Sequence, residues 1–335
     1  MDERWTRFVE SHPKASIFHT SGWLKALRET YGYRPVAFVD AAPGREIQNG
    51  QVYCIVNSWV TGKRLVSVPF SDHTALLSGN AESEAILEFL KTLVDRDEYR
   101  YIEIRPLGSH TLQGTPLSVS ARFMLHSIPL DTNLSEIYAR FHKDCVQRKI
   151  RRAEREQLGY SEPPGDSGLE TFYRLLQKSH RRHHSPVQPS AWFRNLIEFL
   201  GDRAKIRIAT KNGLPVSAIM TLTFHGTMTF KYGGSDAHYH ATGSVPFLLW
   251  RSIQEAHASG MSEFDMGRSD REHAGLIAFK QHWGAHAIES QYWRYPAGAS
   301  MSVASWKYRV ARTVLSVSPA IALRAAGWLF YRHVG

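Results

Sequence analysis

The sequence has 335 residues but only two cysteines, Cys54 and Cys145. Two thiols cannot build a disulfide framework or a four-cysteine zinc site, and so small a number fits a reducing compartment. Long apolar runs are also missing. The uncharged stretch of 11 residues from Thr313 to Leu323 is bounded by Arg312 and Arg324 and broken by Pro319. A bilayer span needs about 20 residues, so no membrane crossing is expected there. The opening "MDERWTRFVE" is charged and has no apolar stretch behind it, so no secretory signal is expected. There is no Walker loop, no G-x-G-x-x-G and no G-x-S-x-G, which removes the common signatures of nucleotide hydrolysis, dinucleotide binding and serine hydrolysis. No low-complexity run and no sustained heptad pattern occurs. Acidic residues are in deficit: 31 Asp and Glu stand against 41 Lys and Arg, a formal net charge of +10.

What is present reads as a packed protein. Hydrophobic residues make up 43% and aromatics 12% of the chain, enough for more than one core at this length. The basic excess suits polyanionic partners such as nucleic acid, anionic lipid or a phosphorylated substrate. It is concentrated in "RKIRRAERE" (148–156) and "HRRHH" (180–184).

The order of elements predicts one plan used twice. "PVAFVDA", "GQVYCIVNSWV" and "RLVSVPFSD" read as consecutive strands, followed by a helix over 81–95 with Ile86, Phe89, Leu90 and Leu93 on one face and then the alternating "YRYIEIRP". In the second half "AKIRIAT", "PVSAIMTLTF" and "TMTFKYGGSD" are followed by a helix in "SVPFLLWRSIQEAHASG", capped by Ser244 and closed by Gly260, and by "SEFDMGRSD". Ser71-Asp72 then answers to Ser235-Asp236, and Arg105 to Arg268. Antiparallel strands, a helix and a further strand make an α+β domain with a mixed sheet. The expected boundaries are an N-terminal domain over 1–143, a basic linker helix and loop over 144–164, a C-terminal domain over 165–297 and a helical tail over 298–335. Within the linker helix Ile150, Ala153 and Leu158 form a narrow apolar stripe surrounded by arginine and lysine.

Several blocks prompt a family comparison. "QRKIRRAEREQLG" resembles the Arg-x-Ile-(Lys/Arg)-(Lys/Arg)-Ala-x-(Lys/Arg)-x-Gly helix of the FemAB-type aminoacyltransferases, and closer still the FemAB-like members of the GNAT acyltransferase superfamily found beside exopolysaccharide genes. "FHTSGWLKAL", "KYGGSD", "FDMGRSD" and "GLIAFKQHWGA" also resemble that group's blocks, and together they span nearly the whole chain. The resemblance implies two GNAT-like domains with mixed sheets facing a central cleft. It implies transfer of an acyl or aminoacyl group to an amine, here on a cell-envelope or exopolysaccharide precursor, with no tightly bound cofactor and with the acyl donor as co-substrate. The long coiled-coil arm of some FemAB enzymes is missing, and so is the Gln/Arg-x-x-Gly-x-Gly/Ala loop that offers backbone N–H groups to the pyrophosphate of coenzyme A. The donor therefore stays open between aminoacyl-tRNA and acyl-CoA. Cytoplasmic placement, with a peripheral position at the inner membrane face as a variant, follows from the same reading.

The candidate residues fall into three groups. Lys280 sits at helical spacing with Leu276, Phe279 and Trp283. That spacing alone leaves it open between a lysine draped over apolar neighbours and a charge held for chemistry. The Phe-Lys pair of the family implies that Lys280 stabilises the carbonyl oxygen as the acyl carbon goes tetrahedral. Asp236, Asp265 and Asp270 are candidates for taking the proton of the attacking amine, with Asp236 and Asp270 preferred. Arg181 and Arg182 offer guanidinium forks for a phosphate or carboxylate; Tyr232, Arg268, Phe279 and Trp283 complete the expected substrate contacts. No metal is expected, because the adjacent His183 and His184 point apart and no H-E-x-x-H or Cys-x-x-Cys accompanies them. Cys145, on a basic helix, has no recognisable His-Asn or His-Asp arrangement near it in sequence and does not read as a nucleophile.

Two further readings remain. An acyl-CoA-dependent N-acetyltransferase acting on a small amine fits the same residues. A basic nucleic-acid-binding protein fits the charge, but no recognised binding motif is present and no DNA partner is expected. In the tail, residues 303–335, Trp306, Val310, Val314 and Val317 recur at helical spacing among Lys307, Arg309 and Arg312. That pattern suits either a helix in the headgroup region of an anionic membrane or one packed back on the N-terminal domain.

Overall fold

The computed structural model describes residues 2–59, 62–108, 112–297 and 331. The tail reading at 303–335 therefore lies outside the described residues except at Tyr331, whose ring meets that of Phe70. The chain divides into two compact units, residues 1–123 with 289–335, and residues 124–288. These differ from the boundaries expected at 143 and 165. The basic segment is not a linker between units: it lies inside the second and contributes to its core.

In the first unit, α1 (Glu3–Ser11) is capped by Asp2, whose side chain accepts the Arg4 amide. Next, α2 (Ser21–Tyr31) starts at Thr20, whose side chain accepts the Trp23 amide, and stops at Gly32 in a left-handed conformation. Strands β1 (Arg34–Val39), β2 (Gly50–Ser58) and β3 (Gly62–Val66) pair antiparallel in sequence. A helix, α3 (Asn80–Asp95), carries the chain across to β4 (Ile102–Ile104), which lies parallel to β3. The helix is where expected but its buried face is rotated. Ser83, Leu87, Leu90 and Val94 are buried, whereas Phe89 is 51% exposed and Ile86 and Leu93 are only half-buried. Tyr53, Leu65, Leu87, Leu90, Ile102 and Ile104 belong to one core.

The chain leaves this unit within β5 (Ser118–Pro129). In the second unit α4 (Leu134–Ala139) is followed by one π-helical turn, Lys143–Gln147, which runs into α5 (Arg148–Arg155). In α5 Ile150 and Ala153 are buried and Arg148, Lys149, Arg151, Arg152 and Arg155 are exposed, as the narrow stripe predicts. Then come β6 (Gly159–Ser161), α6 (Leu169–Arg182) and α7 (Ser190–Leu200). Strands β7 (Ala204–Lys211), β8 (Leu214–Phe224) and β9 (Thr227–Ser235) pair antiparallel in sequence. Helix α8 (Ser244–Ala258) leads to β10 (Glu263–Asp270), parallel to β9, and α9 (Ala274–Gln281) follows. The α8 cap is Gly243, in a left-handed conformation, and not Ser244, which is the first helical residue. Strand β11 (His286–Tyr295) returns the chain to the first unit, where it pairs antiparallel with β4.

Strand order is β1-β2-β3-β4-β11 in the first unit and β10-β9-β8-β7-β6 in the second. Three antiparallel strands, a helix and a fourth strand parallel to the third thus occur in both. β8 is nearly continuous in apolar residues because both its faces are covered, by α8 and by α6. The second core gathers Ile150, Ala153, Val216, Ile219, Leu248, Phe264 and Trp283.

The paired glycines of "KYGGSD" have a steric cause. A Cβ added at Gly234 would overlap backbone atoms of Leu175 and Leu176, so the close approach of α6 to β9 requires a glycine. Gly234→Ala is expected to cost about 2 kcal/mol of stability, in the range of overpacking, and a urea melt checks it; an unchanged midpoint would mean that α6 yields freely.

Candidate functional site

The second unit holds most of the candidate residues, and their placement follows from β10 and the helix behind it. Lys280 lies in the last turn of α9 and is 4% exposed. Its ammonium donates to the carbonyl oxygens of Gly267 and Arg268, at 2.8 Å each. Successive carbonyls of a regular strand point to opposite edges. Here they converge because Gly267 takes φ +71°. The Asp265 Oδ1 accepts the Gly267 amide at 2.7 Å and fixes this local bend, an Asx-turn inside the strand. A side chain at position 267 would be strained at that φ. The Asp-Met-Gly-Arg sequence thus builds a backbone cradle for one buried cation. A lysine merely lying over apolar neighbours would keep its head in water, and this one does not.

His126, on β5, faces the same cation. It is fully buried. Burial pushes its pKa down to about 4, and the charge of Lys280 adds to the shift. The ring is therefore neutral near pH 7 and does not compete with the ammonium as a second charge. A histidine within a strand pattern gave no sequence signal for this role.

Around Lys280, Phe279 is half-buried and Trp283 is fully buried, its ring edge-on to Phe141 at 4.9 Å. Trp283 is a core residue of this unit, which corrects its expected place on the substrate. Arg268 is half-buried and brings its carbonyl to Lys280. Asp270 ends β10 and is exposed, while its carbonyl accepts the His273 amide at the start of α9. Asp265 is engaged by the Gly267 amide and by the Thr229 hydroxyl at 3.3 Å.

A second group forms where β9 ends. Asp236 pairs with Lys178 of α6, and its Oδ1 accepts the His238 amide at 3.1 Å. The Lys178 ammonium holds its carboxyl below the usual carboxylate range, with the His238 amide acting in the same sense. A carboxylate so engaged is a weak base. Arg181 and Arg182 are exposed at the last turn of α6. Burial lowers the pKa of His183 and of His240, and in both cases the Arg182 charge is the next cause. His240 also feels Lys149. Arg182 and Lys149 thus set positive charge beside His240, with Asp236 acting in the opposite sense. Tyr232 accepts the Trp192 indole N–H at 2.9 Å and meets Phe193 edge-on at 5.0 Å. Its hydroxyl is tied into the packing of α7.

The residue types at Lys280 and Asp236 were legible, whereas the groups that hold them, the Gly267 and Arg268 carbonyls and Lys178, were not. His142, Cys145 and His282 form a further cluster that the argument from His183 and His184 did not reach. Their ligand atoms lie within 4.8 Å of one another.

Residues 140–280 match the family model described as an acetyltransferase (GNAT) domain. The match runs from just before the π-helical turn to Lys280 itself. Among solved structures, the chain is similar to a FemX crystal structure, at 15% identity and TM-score 0.73, over 88% of this chain and 96% of that one. It is also similar to a C-terminal DUF2156 domain assigned to a lysylphosphatidylglycerol synthetase from Agrobacterium fabrum, at 13% identity and TM-score 0.60, over 92% and 95% of the two chains. L-PGS from Bacillus licheniformis matches at 14% identity and TM-score 0.59, over 94% and 96%. These likenesses establish the fold. No curated protein sequence matches the chain. No helix among the described residues is long and apolar enough to cross a membrane.

Proposed function

Given that the chain carries a GNAT acyltransferase domain over residues 140–280, we propose that it transfers an acyl or aminoacyl group to the amine of a cell-envelope or exopolysaccharide precursor. The observation that carries this reading is the buried ammonium of Lys280, held by two backbone carbonyls at 2.8 Å. When an amine attacks an acyl carbon, the carbonyl oxygen gains negative charge. A cation already fixed and largely removed from water stabilises that charge without reorganising at the moment of reaction. The C–N bond forms, the bond to the donor's oxygen or sulfur breaks, and the amine's proton leaves with the departing group or through a carboxylate. Asp270 is exposed and Asp236 is tied to Lys178, so of the two Asp270 is the better-placed carboxylate for that proton.

The positive charges of Arg182 and Lys149 beside His240 support an acceptor bearing phosphate, as sugar- and lipid-linked precursors do. The fold shared with FemX and with a domain assigned to a lysylphosphatidylglycerol synthetase supports aminoacyl transfer in particular. The family description, an acetyltransferase domain, supports a second reading in which acyl-CoA acylates a small amine. The donor is a co-substrate in either case.

One assay separates them. The purified protein is given aminoacyl-tRNA or acyl-CoA, and in turn a nucleotide-linked amino sugar, a lipid-linked amine and a small polyamine. Mass spectrometry reads the acceptor. The proposed function expects one added acyl or aminoacyl group on a phosphate-bearing acceptor. Acetylation of the polyamine alone would replace it with the second reading, and no product with any pair would end both.

A further inference from the structure

His142, Cys145 and His282 come together from two parts of the second unit. His142 and Cys145 flank the first residues of the π-helical turn, and His282 closes α9, the helix that bears Lys280. The two segments are already joined, since the His142 amide donates to the His282 carbonyl at 2.8 Å and the two imidazole rings lie 4.7 Å apart. One ligand atom from each of the three side chains lies within 4.8 Å of the others. None of these side chains has a part in the acyl-transfer reading above. We propose that they form a binding site for a divalent transition metal of the zinc class, which staples α9 to the π-helical turn.

The donor set selects the metal. One thiolate and two imidazoles suit zinc or cobalt(II) and not magnesium or calcium, which take oxygen ligands. Tetrahedral zinc, with Zn–S about 2.3 Å and Zn–N about 2.0 Å, sets its donors roughly 3.5 Å apart. Side-chain rotation contracting the triad by little more than about an ångström therefore closes it, and partial exposure leaves the fourth position to water. His142 is exposed and Cys145 and His282 are half-buried, so an ion has a path in. The other thiol is no rival: Cys54 is fully buried, and burial pushes its pKa far up.

Coordination has a definite local cost. The His142 Nδ1 accepts the amides of Asp144 and Cys145 at 3.2 Å each, so its proton sits on Nε2. A metal on Nε2 drives that proton to Nδ1, and a metal on Nδ1 displaces the amides directly. Either way the cap is given up while the backbone bond from Val146 to the His142 carbonyl, at 3.0 Å, remains. The Cys145 thiol loses its proton to solvent on binding, so affinity falls as pH is lowered.

The test uses the untagged full chain and Co²⁺ as the probe. One equivalent is expected to give a thiolate-to-cobalt charge-transfer band, absent in Cys145→Ser, with at least tenfold weaker Co²⁺ binding in His282→Gln. Circular dichroism of the metal-free variants checks their folding. Zn²⁺ is further expected to slow alkylation of Cys145 by iodoacetamide in the unaltered protein at least tenfold, read by mass, which needs no variant. Cobalt binding without a thiolate band, a band that persists in folded Cys145→Ser, or alkylation indifferent to Zn²⁺ would leave His142 as a helix cap only and overturn the site.

Discussion

Lys280→Ala is expected to turn over about a hundredfold more slowly than the unaltered protein, the loss typical of one oxyanion donor. The ammonium is buried and already paired to the Gly267 and Arg268 carbonyls. Two effects therefore have to be kept apart. Removing the side chain leaves buried carbonyls to be satisfied otherwise, at about 1–3 kcal/mol of stability, and it removes the charge. Lys280→Gln keeps a hydrogen-bond donor in the cradle and removes only the charge. If the charge acts on the tetrahedral intermediate, both variants lose kcat and kcat/KM together with KM little changed, because the interaction is made in the transition state. If Lys280 only holds α9 on β10, the Gln variant keeps wild-type turnover while the Ala variant melts early. Wild-type kcat in folded Lys280→Gln would thus remove the catalytic reading and leave the structural one. Gly267→Ala addresses the same cradle from the other side, since a side chain at φ +71° cannot hold both carbonyls on one ammonium without strain.

The repeated order of strands and helix was legible because turn signals and apolar periodicity are local. "KNG" and "HG" mark the two hairpin turns of the second unit, and the helix behind them begins after a glycine. The face of α3 was not legible, because Phe89 is as apolar as Leu87 and only tertiary packing decides which is covered. Ser83 is buried there because its hydroxyl bonds that of Ser78, a partner that periodicity does not weigh. The unit boundary was missed for a related reason. The charged surface of α5 hides a stripe of two residues, Ile150 and Ala153, that is enough to lock it into the second core. At the site, the pattern Phe-Lys with Trp283 three residues on placed Lys280 on a helix. Nothing local to it announced that "DMGR" would offer two carbonyls to one cation. Asp236 read as a free base because its partner, Lys178, comes from α6, a helix far back in the chain. The triad of His142, Cys145 and His282 was hidden in the same way: His142 and Cys145 are near neighbours, and the third ligand arrives only when α9 folds back.

Stability should fall steeply on mild acidification, by about 2 kcal/mol for each of two buried histidines between pH 7 and pH 5. His19 and His126 are both fully buried, and burial is the first cause that lowers each to about 4 from the ordinary 6.5. His19 is fixed as a neutral ring: its Nδ1 accepts the Ser16 amide at 3.0 Å and its Nε2 faces the Ala75 carbonyl at 3.0 Å. His126 lies in the field of Lys280. A folded-state pKa below the unfolded value means that the unfolded chain binds more protons between about pH 6.5 and pH 4. Stability is therefore full above that window, declines as pH falls through it, and levels off below about 4, where both states are protonated. Asp236 acts in the opposite part of the scale. Its lowered carboxyl stabilises above the unfolded carboxylate value and is lost only below it, so it does not contribute between pH 7 and pH 5. The two histidines belong to different compact units, and urea melts at the two pH values can assign the effect. His126→Phe replaces the imidazole with a ring that takes no proton, so the difference between the two proteins at pH 7 serves as the reference. At pH 5 it should recover about 2 kcal/mol relative to the unaltered protein, in the transition of residues 124–288 where two transitions are resolved. His19→Gln should flatten the pH dependence of the first unit in the same way, though at a cost at pH 7, because the hydrogen bonds to Ser16 and Ala75 must be remade. Equal pH slopes for the unaltered protein and both variants would show that neither histidine is held neutral.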